Sequence, residues 1–189
     1  MGFIADQTFS RDDFAEGPLP EGDYDNCRFE GCNFSGADLS GFLFAGCTFR
    51  SCDLSLAKLE NTGLQQVSFD ECKMLGLRFD LCNPFGVELG FQRCILDNSS
   101  FFRLKLRKTR FEGCRLRDVD FAECDLAGAF FPECDMFGAA FDNTIIERAD
   151  LRTAYNYSID LEVNYIKKAK FSVEGLPGLL DKYDLTIER

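Results

Sequence analysis

The sequence predicts an all-β fold, a right-handed β-helix of quadrilateral cross-section, from three observations. A large apolar residue recurs at every fifth position, a small uncharged or apolar residue stands two places before it, and glycine recurs between them at the same spacing. A period of five fits neither the 3.6-residue helix nor the two-residue strand. The first run extends from Tyr24 through Phe29, Phe34, Phe49 and Phe69 to Phe79. A second run, shifted in phase, goes from Phe91 through Phe101, Phe111, Phe121, Phe131 and Phe141 to Phe171. Pro84 and Asn156 alone break the apolar character of the slots, and no slot holds a charge.

Each five-residue unit has a simple geometry. Residues two apart in an extended segment point to the same side, so each unit offers one small and one large inward group. The remaining three positions face solvent or turn the corner, where Gly31, Gly36, Gly41 and Gly46 fall. Four units close a square coil that stacks on the next at about 4.8 Å. Residues 23–172 then supply about seven coils, a rod about 35 Å long. Each inward Phe or Leu contributes about 1.5–3 kcal/mol by burial, so the inner columns carry the stability.

All ten cysteines fall on the small inward series, which makes them buried small hydrophobes. Cys94, Cys114 and Cys134 stand one coil apart, close enough for a disulfide, but a reducing compartment opposes one. The chain has no histidine and no CxxC spacing, so neither a metal site nor a cofactor is expected. Without histidine no Ser/His/Asp or Cys/His pair can be assembled. Carboxylates on a convex rod lack the cleft that raises a catalytic pKa, so the chain is expected not to be an enzyme.

Both ends and one interior point depart from the register. Residues 1–22, with Gly17-Pro18-Leu19-Pro20 as a loop, read as a cap over the open end, where a strand edge would otherwise be exposed. Between Phe79 and Phe91 the spacing is two residues too long, and Asn83, Pro84, Phe85 and Gly86 there predict a bulge or short excursion. Residues 173–189 read as a short C-terminal α-helix after Pro177, followed by strand-like Leu185, Thr186 and Ile187. Leu176, Leu179, Leu180 and Tyr183 would share an apolar face of that helix, suited either to capping the rod or to meeting a second copy across a two-fold axis.

The net charge of −11 opposes binding to nucleic acid and favours a basic partner or plain solubility. No apolar run is long enough to span a membrane, and the first residues lack a secretory pattern, so a cytoplasmic location is expected. Residues 103–117 are strongly basic, and the next stretch holds Asp118, Asp120, Glu123, Asp125, Glu133, Asp135 and Asp142 without a base. Either adjacent coils pair these groups, or the acids form an open face for a basic groove. About 35 Å of duplex DNA carries about 20 charges, so imitation of DNA would need a face more acidic than the average of this chain.

The A/C-x-F/L-x-x cadence over residues 23–172 resembles the pentapeptide-repeat family. The segments CKMLG at 72–76, RCILDNSSF at 93–101, AYNYSID at 154–160, IKKAKFS at 166–172 and GLLDKYD at 178–184 are similar to the quinolone-resistance (Qnr) and albicidin-resistance group within it. That resemblance implies an elongated homodimer joined through its C-terminal segments and acidic on its outer surface. It implies binding to DNA gyrase or topoisomerase IV in place of DNA, with protection from inhibitors. The larger members carry projecting loops that matter for protection, and the break near Pro84 is the one counterpart here. An inert repeat rod serving another protein interaction is the competing expectation.

Overall fold

Because every fifth side chain seeks the interior, the chain must turn a corner once per unit. The computed structural model, which describes residues 2–186, shows the right-handed coil that results. Short strands follow one another as β1 (Gly2–Ala5), β2 (Thr8–Ser10), β3 (Gly22–Asp25), β4 (Arg28–Glu30), β5 (Leu43–Ala45), β6 (Thr48–Arg50), β7 (Gly63–Gln65), β8 (Val67–Asp70), β9 (Leu89–Gln92) and β10 (Arg110–Glu112). The first face is the parallel sheet β1-β3-β5-β7, and the second is the parallel sheet β2-β4-β6-β8-β9-β10. Single parallel bridges extend the stack on all sides. The third face runs Lys73, Ile95, Arg115, Asp135, Tyr155, and the fourth runs Arg78, Ser100, Asp120, Ala140. Above β7 the first face continues through Lys105, Asp125, Ile145 and Tyr165.

Register places like over like: Tyr24 opposite Phe44, Phe29 opposite Phe49, and Phe69 opposite Phe91. The expected core residues Phe29, Phe34, Phe49, Phe69, Phe79, Phe101, Phe111, Phe121, Phe131 and Phe141 are all buried. Their rings stack along each face and meet edge to face around the corner. Phe79 and Phe101 are parallel with centroids 4.6 Å apart, while Phe91 and Phe101 are nearly perpendicular at 5.8 Å.

All ten cysteines are free and buried. The extra residues near Pro84 shift the count so that Cys32, Cys52 and Cys72 lie in the same column as Cys94, Cys114 and Cys134. Most of the thiols have a backbone carbonyl to donate to: Cys72 Sγ lies 3.3 Å from the Phe49 carbonyl in the coil below, and Cys134 Sγ lies 3.1 Å from that of Phe111. Burial pushes the Cys47 and Cys82 thiols up to about 11, so they stay protonated and unreactive at neutral pH.

The corners explain the recurrent glycines and polar residues. The second residue after most large inward slots adopts a left-handed backbone, as at Gly41 with φ 75° and Asn61 with φ 56°; Leu81, Thr153, Ser158 and Val163 do not. At Gly46 a Cβ would stand 2.5 Å from Asn26 Oδ1 in the coil below, so a larger residue there would have to push that amide aside.

Four expectations change. Residues 2–14 are a continuation of the stack, since β1 pairs with β3 and β2 with β4, and Phe9 stacks on Phe29 at 4.9 Å. The regular turns number about six, against about seven expected, because Leu161, Ile166 and Phe171 are only partly buried and Asn156 turns outward to bond Asp135. No α-helix forms at the C-terminus among the described residues. Leu176–Leu179 and Asp181–Tyr183 are 3-10 turns, closed by Leu180 N–H to Pro177 O and Tyr183 N–H to Leu180 O. Pro177, Gly178 and the left-handed Asp184 leave too short a run to nucleate an α-helix. Leu185 and Thr186 are not in a strand, and Ile187 lies outside the described residues. Near Pro84 the expected excursion is present: Asn83 still bridges Gly63, the five residues 84–88 lie outside the strands and bridges, and Leu89 rejoins the ladder opposite Val67.

Candidate functional site

A solenoid with a filled interior can act only through its outer faces, so the placement of charge on those faces decides its chemistry. The acidic stretch does not form one face. A coil consumes about 20 residues, and the stretch from Asp118 to Asp142 is longer than that, so it wraps the rod. Asp120 and Asp142 lie on the fourth face, Asp135 on the third and Asp125 on the first. Asp118, Glu123 and Glu133 occupy left-handed corners leading to the fourth, first and third faces.

Three of the seven acids are paired by arginines in the coil below. Arg103 donates to both oxygens of Glu123 at 2.7 and 3.1 Å. Arg107 bonds Asp125, and Arg117 bonds Asp135 at 2.7 Å. The Arg103 hydrogen bond draws the Glu123 carboxyl below its usual range. Burial alone would raise Asp135, but hydrogen bonds from Asn156 and Arg117 outweigh it and hold it below that range. Pairing between coils therefore accounts for Glu123, Asp125 and Asp135. Asp118, Asp120, Glu133 and Asp142 have no ion-pair partner among the described residues.

Acids taken one coil apart gather instead on the fourth face. Asp38, Glu60 and Asp80 join Asp120 and Asp142 there, with Lys58, Arg78 and Arg103 as the opposing cations. Lys58 pairs Asp38 at 3.5 Å and Arg78 pairs Asp80 at 2.6 Å. Among the described residues the Glu60 carboxylate accepts only the Ser40 hydroxyl, at 3.2 Å, and Asp120 accepts the Ala122 N–H at 2.9 Å. Glu60 and Asp80 were missed in the linear reading. Their signal lies in the coil period, which is invisible in a count of neighbouring charges.

The C-terminal set also divides. Leu179 is buried and closes the end of the core, and Leu180 is half-buried. Leu176 and Tyr183 remain exposed beside Val173 and Leu185. Tyr183 donates its hydroxyl to Glu162 at 2.9 Å, and Lys182 holds Asp160 and Glu162, each at 2.7 Å. These bonds tie the terminal turns to the last coil.

A filled square coil with its chemistry on four outer faces defines a solenoid of the repeat type. The chain belongs to the pentapeptide-repeat family: the pentapeptide repeat region matches residues 23–90, and pentapeptide repeats in eight copies match residues 114–152. No curated protein matches the sequence. Among solved structures, the chain is similar to two trypsin-treated variants of QnrB1, a plasmid-mediated fluoroquinolone resistance protein. The first is 17% identical with a TM-score of 0.65, over 99% of this chain and 100% of that one. The second is 18% identical with a TM-score of 0.58, over 98% and 97%. HetL, a pentapeptide repeat protein involved in heterocyst differentiation regulation from the cyanobacterium Nostoc, aligns at 17% identity over 88% of this chain and 71% of its own, with a TM-score of 0.40.

Proposed function

We propose that this protein is a non-enzymatic cytoplasmic rod that offers its acidic fourth face to the DNA-binding groove of a type II topoisomerase, gyrase or topoisomerase IV, and protects that enzyme from inhibitors. The observation that carries the reading is the set Glu60, Asp118, Asp120 and Asp142, on or beside one face and free of ion pairs among the described residues. A groove built for phosphates supplies the cations these carboxylates lack. The resemblance at the C-terminal segments supports the choice of partner, and the likeness to QnrB1 supports the fold.

The test is competition. Replacing Glu60→Gln, Asp118→Asn, Asp120→Asn and Asp142→Asn removes charge without changing shape. It should weaken binding to purified gyrase or topoisomerase IV by about tenfold or more and flatten its salt dependence. Asp125 is left intact, since neutralising it would strand Arg107. Wild-type protein that leaves supercoiling and inhibitor-stabilised cleavage unchanged with both enzymes would refute this function.

The pairing of Glu123, Asp125 and Asp135 favours a second reading, a scaffold for some other protein interaction, because it neutralises much of the acidic stretch. The competition assay separates the two.

The same reading includes an end-to-end homodimer through the exposed Val173, Leu176, Tyr183 and Leu185. Sedimentation should give a dimer for the full chain, and Leu176→Asp with Leu185→Asp should reduce it to a monomer. A full chain that never associates end to end removes this part.

A further inference from the structure

The first face is electrically split along its length. Its N-terminal half carries Asp6, Asp23 and Asp25 and, among the described residues, no cation. Its C-terminal half carries Lys105, Lys108, Arg148, Lys167 and Lys168, all exposed, against the carboxylates of Asp125 and Glu147. None of these five has a carboxylate within ion-pair distance among the described residues, although neighbouring arginines do. Between the halves Phe85 projects from the two-residue excursion, 81% exposed. Below it lies a hollow of about 480 Å³, lined by Asp25, Asn26, Ala45, Gly46, Gln65 and Gln66 together with Phe85, Gly86 and Glu88 of the excursion itself.

We propose that two copies of the chain pair side by side and antiparallel through their first faces, about a two-fold axis close to Phe85. An isologous contact needs one surface that is complementary to itself, with each feature matched by its opposite across the axis. This face meets that condition twice, in charge and in shape. Seating each Phe85 in the partner's hollow puts the axis roughly one coil below Phe85, since the hollow spans Gln65, one coil below, to Asn26, three coils below. Asp23 and Asp25, three coils below Phe85, then face Lys105 and Lys108, one coil above. Asp6 falls opposite the Gly128 level, one coil short of Arg148, so the match in charge rests on the Asp23/Asp25 and Lys105/Lys108 levels. The registration of the knob thus predicts the registration of the charges, although the two were read from different residues.

The size of the face is adequate. Antiparallel pairing about that axis overlaps the seven levels from Asp6 to Asp125, which at about 4.8 Å each and a width of about 20 Å gives roughly 650 Å² on each partner, within the range of a specific interface. The net charge of −11 opposes any self-association, but beyond about 8 Å that repulsion is screened at physiological salt, whereas the facing pairs are in contact. The contact uses neither the C-terminal end nor the fourth face, so it stands independently of the function proposed above.

The experiment uses charge reversal in the full chain, read by sedimentation velocity and small-angle scattering. The wild type should form a short, thick pair, distinct from an elongated end-to-end one. Asp23→Lys/Asp25→Lys alone, and Lys105→Glu/Lys108→Glu alone, should each weaken that pairing by about tenfold or more. Mixing the two variants should restore it as a heterodimer. A single chain carrying both sets of reversals should pair with itself again, and circular dichroism checks that each variant is folded. Three results would overturn the proposal: no side-by-side species in the wild type, reversals without effect, or loss that mixing and full inversion both fail to rescue. Binding of duplex DNA by the basic half of a protein that shows no side-by-side pairing would overturn it as well, in favour of a phosphate-binding surface.

Discussion

Phe111→Ala is expected to lower the free energy of unfolding by about 3–5 kcal/mol, a large fraction of the stability of a domain of this size. Phe111 is fully buried, and its ring lies parallel to Phe91 at 4.9 Å and to Phe131 at 5.0 Å. Phe101 and Phe121 meet it edge-on at 5.8 and 5.9 Å. Four aromatic contacts are therefore lost together, and neighbours fixed by their own ladders cannot collapse into the void. Lys108→Ala, at an exposed corner of the preceding unit, should change stability by no more than about 0.5 kcal/mol. Urea melts check the contrast, and equal losses at the two positions would contradict the register. Arg107 would be a poorer comparison, because its removal leaves the buried Asp125 without its cation.

Cys114→Asp is expected to be as damaging or worse, with loss of the folded protein at neutral pH. Cys114 is only 2% exposed, between Cys94 and Cys134 in the thiol column. No Lys or Arg among the described residues is buried in the interior, so an ionised carboxylate there would pay its desolvation without compensation. Cys114→Ala should fold, at a cost of about 1–2 kcal/mol for the missing sulfur, since Ala154 already occupies the same column two coils above. Circular dichroism and soluble yield distinguish the two variants. A well-folded Asp variant would mean that this column admits water.

The coil was legible because its cause is repeated at every unit. Phe29, Phe49 and Phe69 each obey the same steric rule, so one misread slot cannot disturb the pattern. The N-terminal coil was missed although Ile4, Phe9, Phe14 and Leu19 continue the spacing of Tyr24. Its small series holds Gln7 and Asp12, which are exposed at the open end where no coil lies beneath them. The acidic site was misread for the opposite reason. Asp118 to Asp142 are neighbours in sequence, but surface adjacency on this fold follows the coil period, so Glu60 and Asp80 belong with Asp142 while Asp125 does not. The C-terminal turns failed as a helix because Leu176, Leu179, Leu180 and Tyr183 were judged by apolar spacing, whereas Pro177 and Gly178 decide the backbone.

The excursion at Pro84 also bears on how such a chain can grow. Phe69 lies opposite Phe91 in the same alignment that Phe49 keeps with Phe69, although two more residues separate the later pair. The ladder takes no account of what intervenes at a corner, provided the chain returns at the right height. An ancestral gene of this kind can therefore accept new sequence at any of its corners, or duplicate a whole turn, without redesigning the interior, so lineages can diverge in their edges while inheriting an unchanged axis.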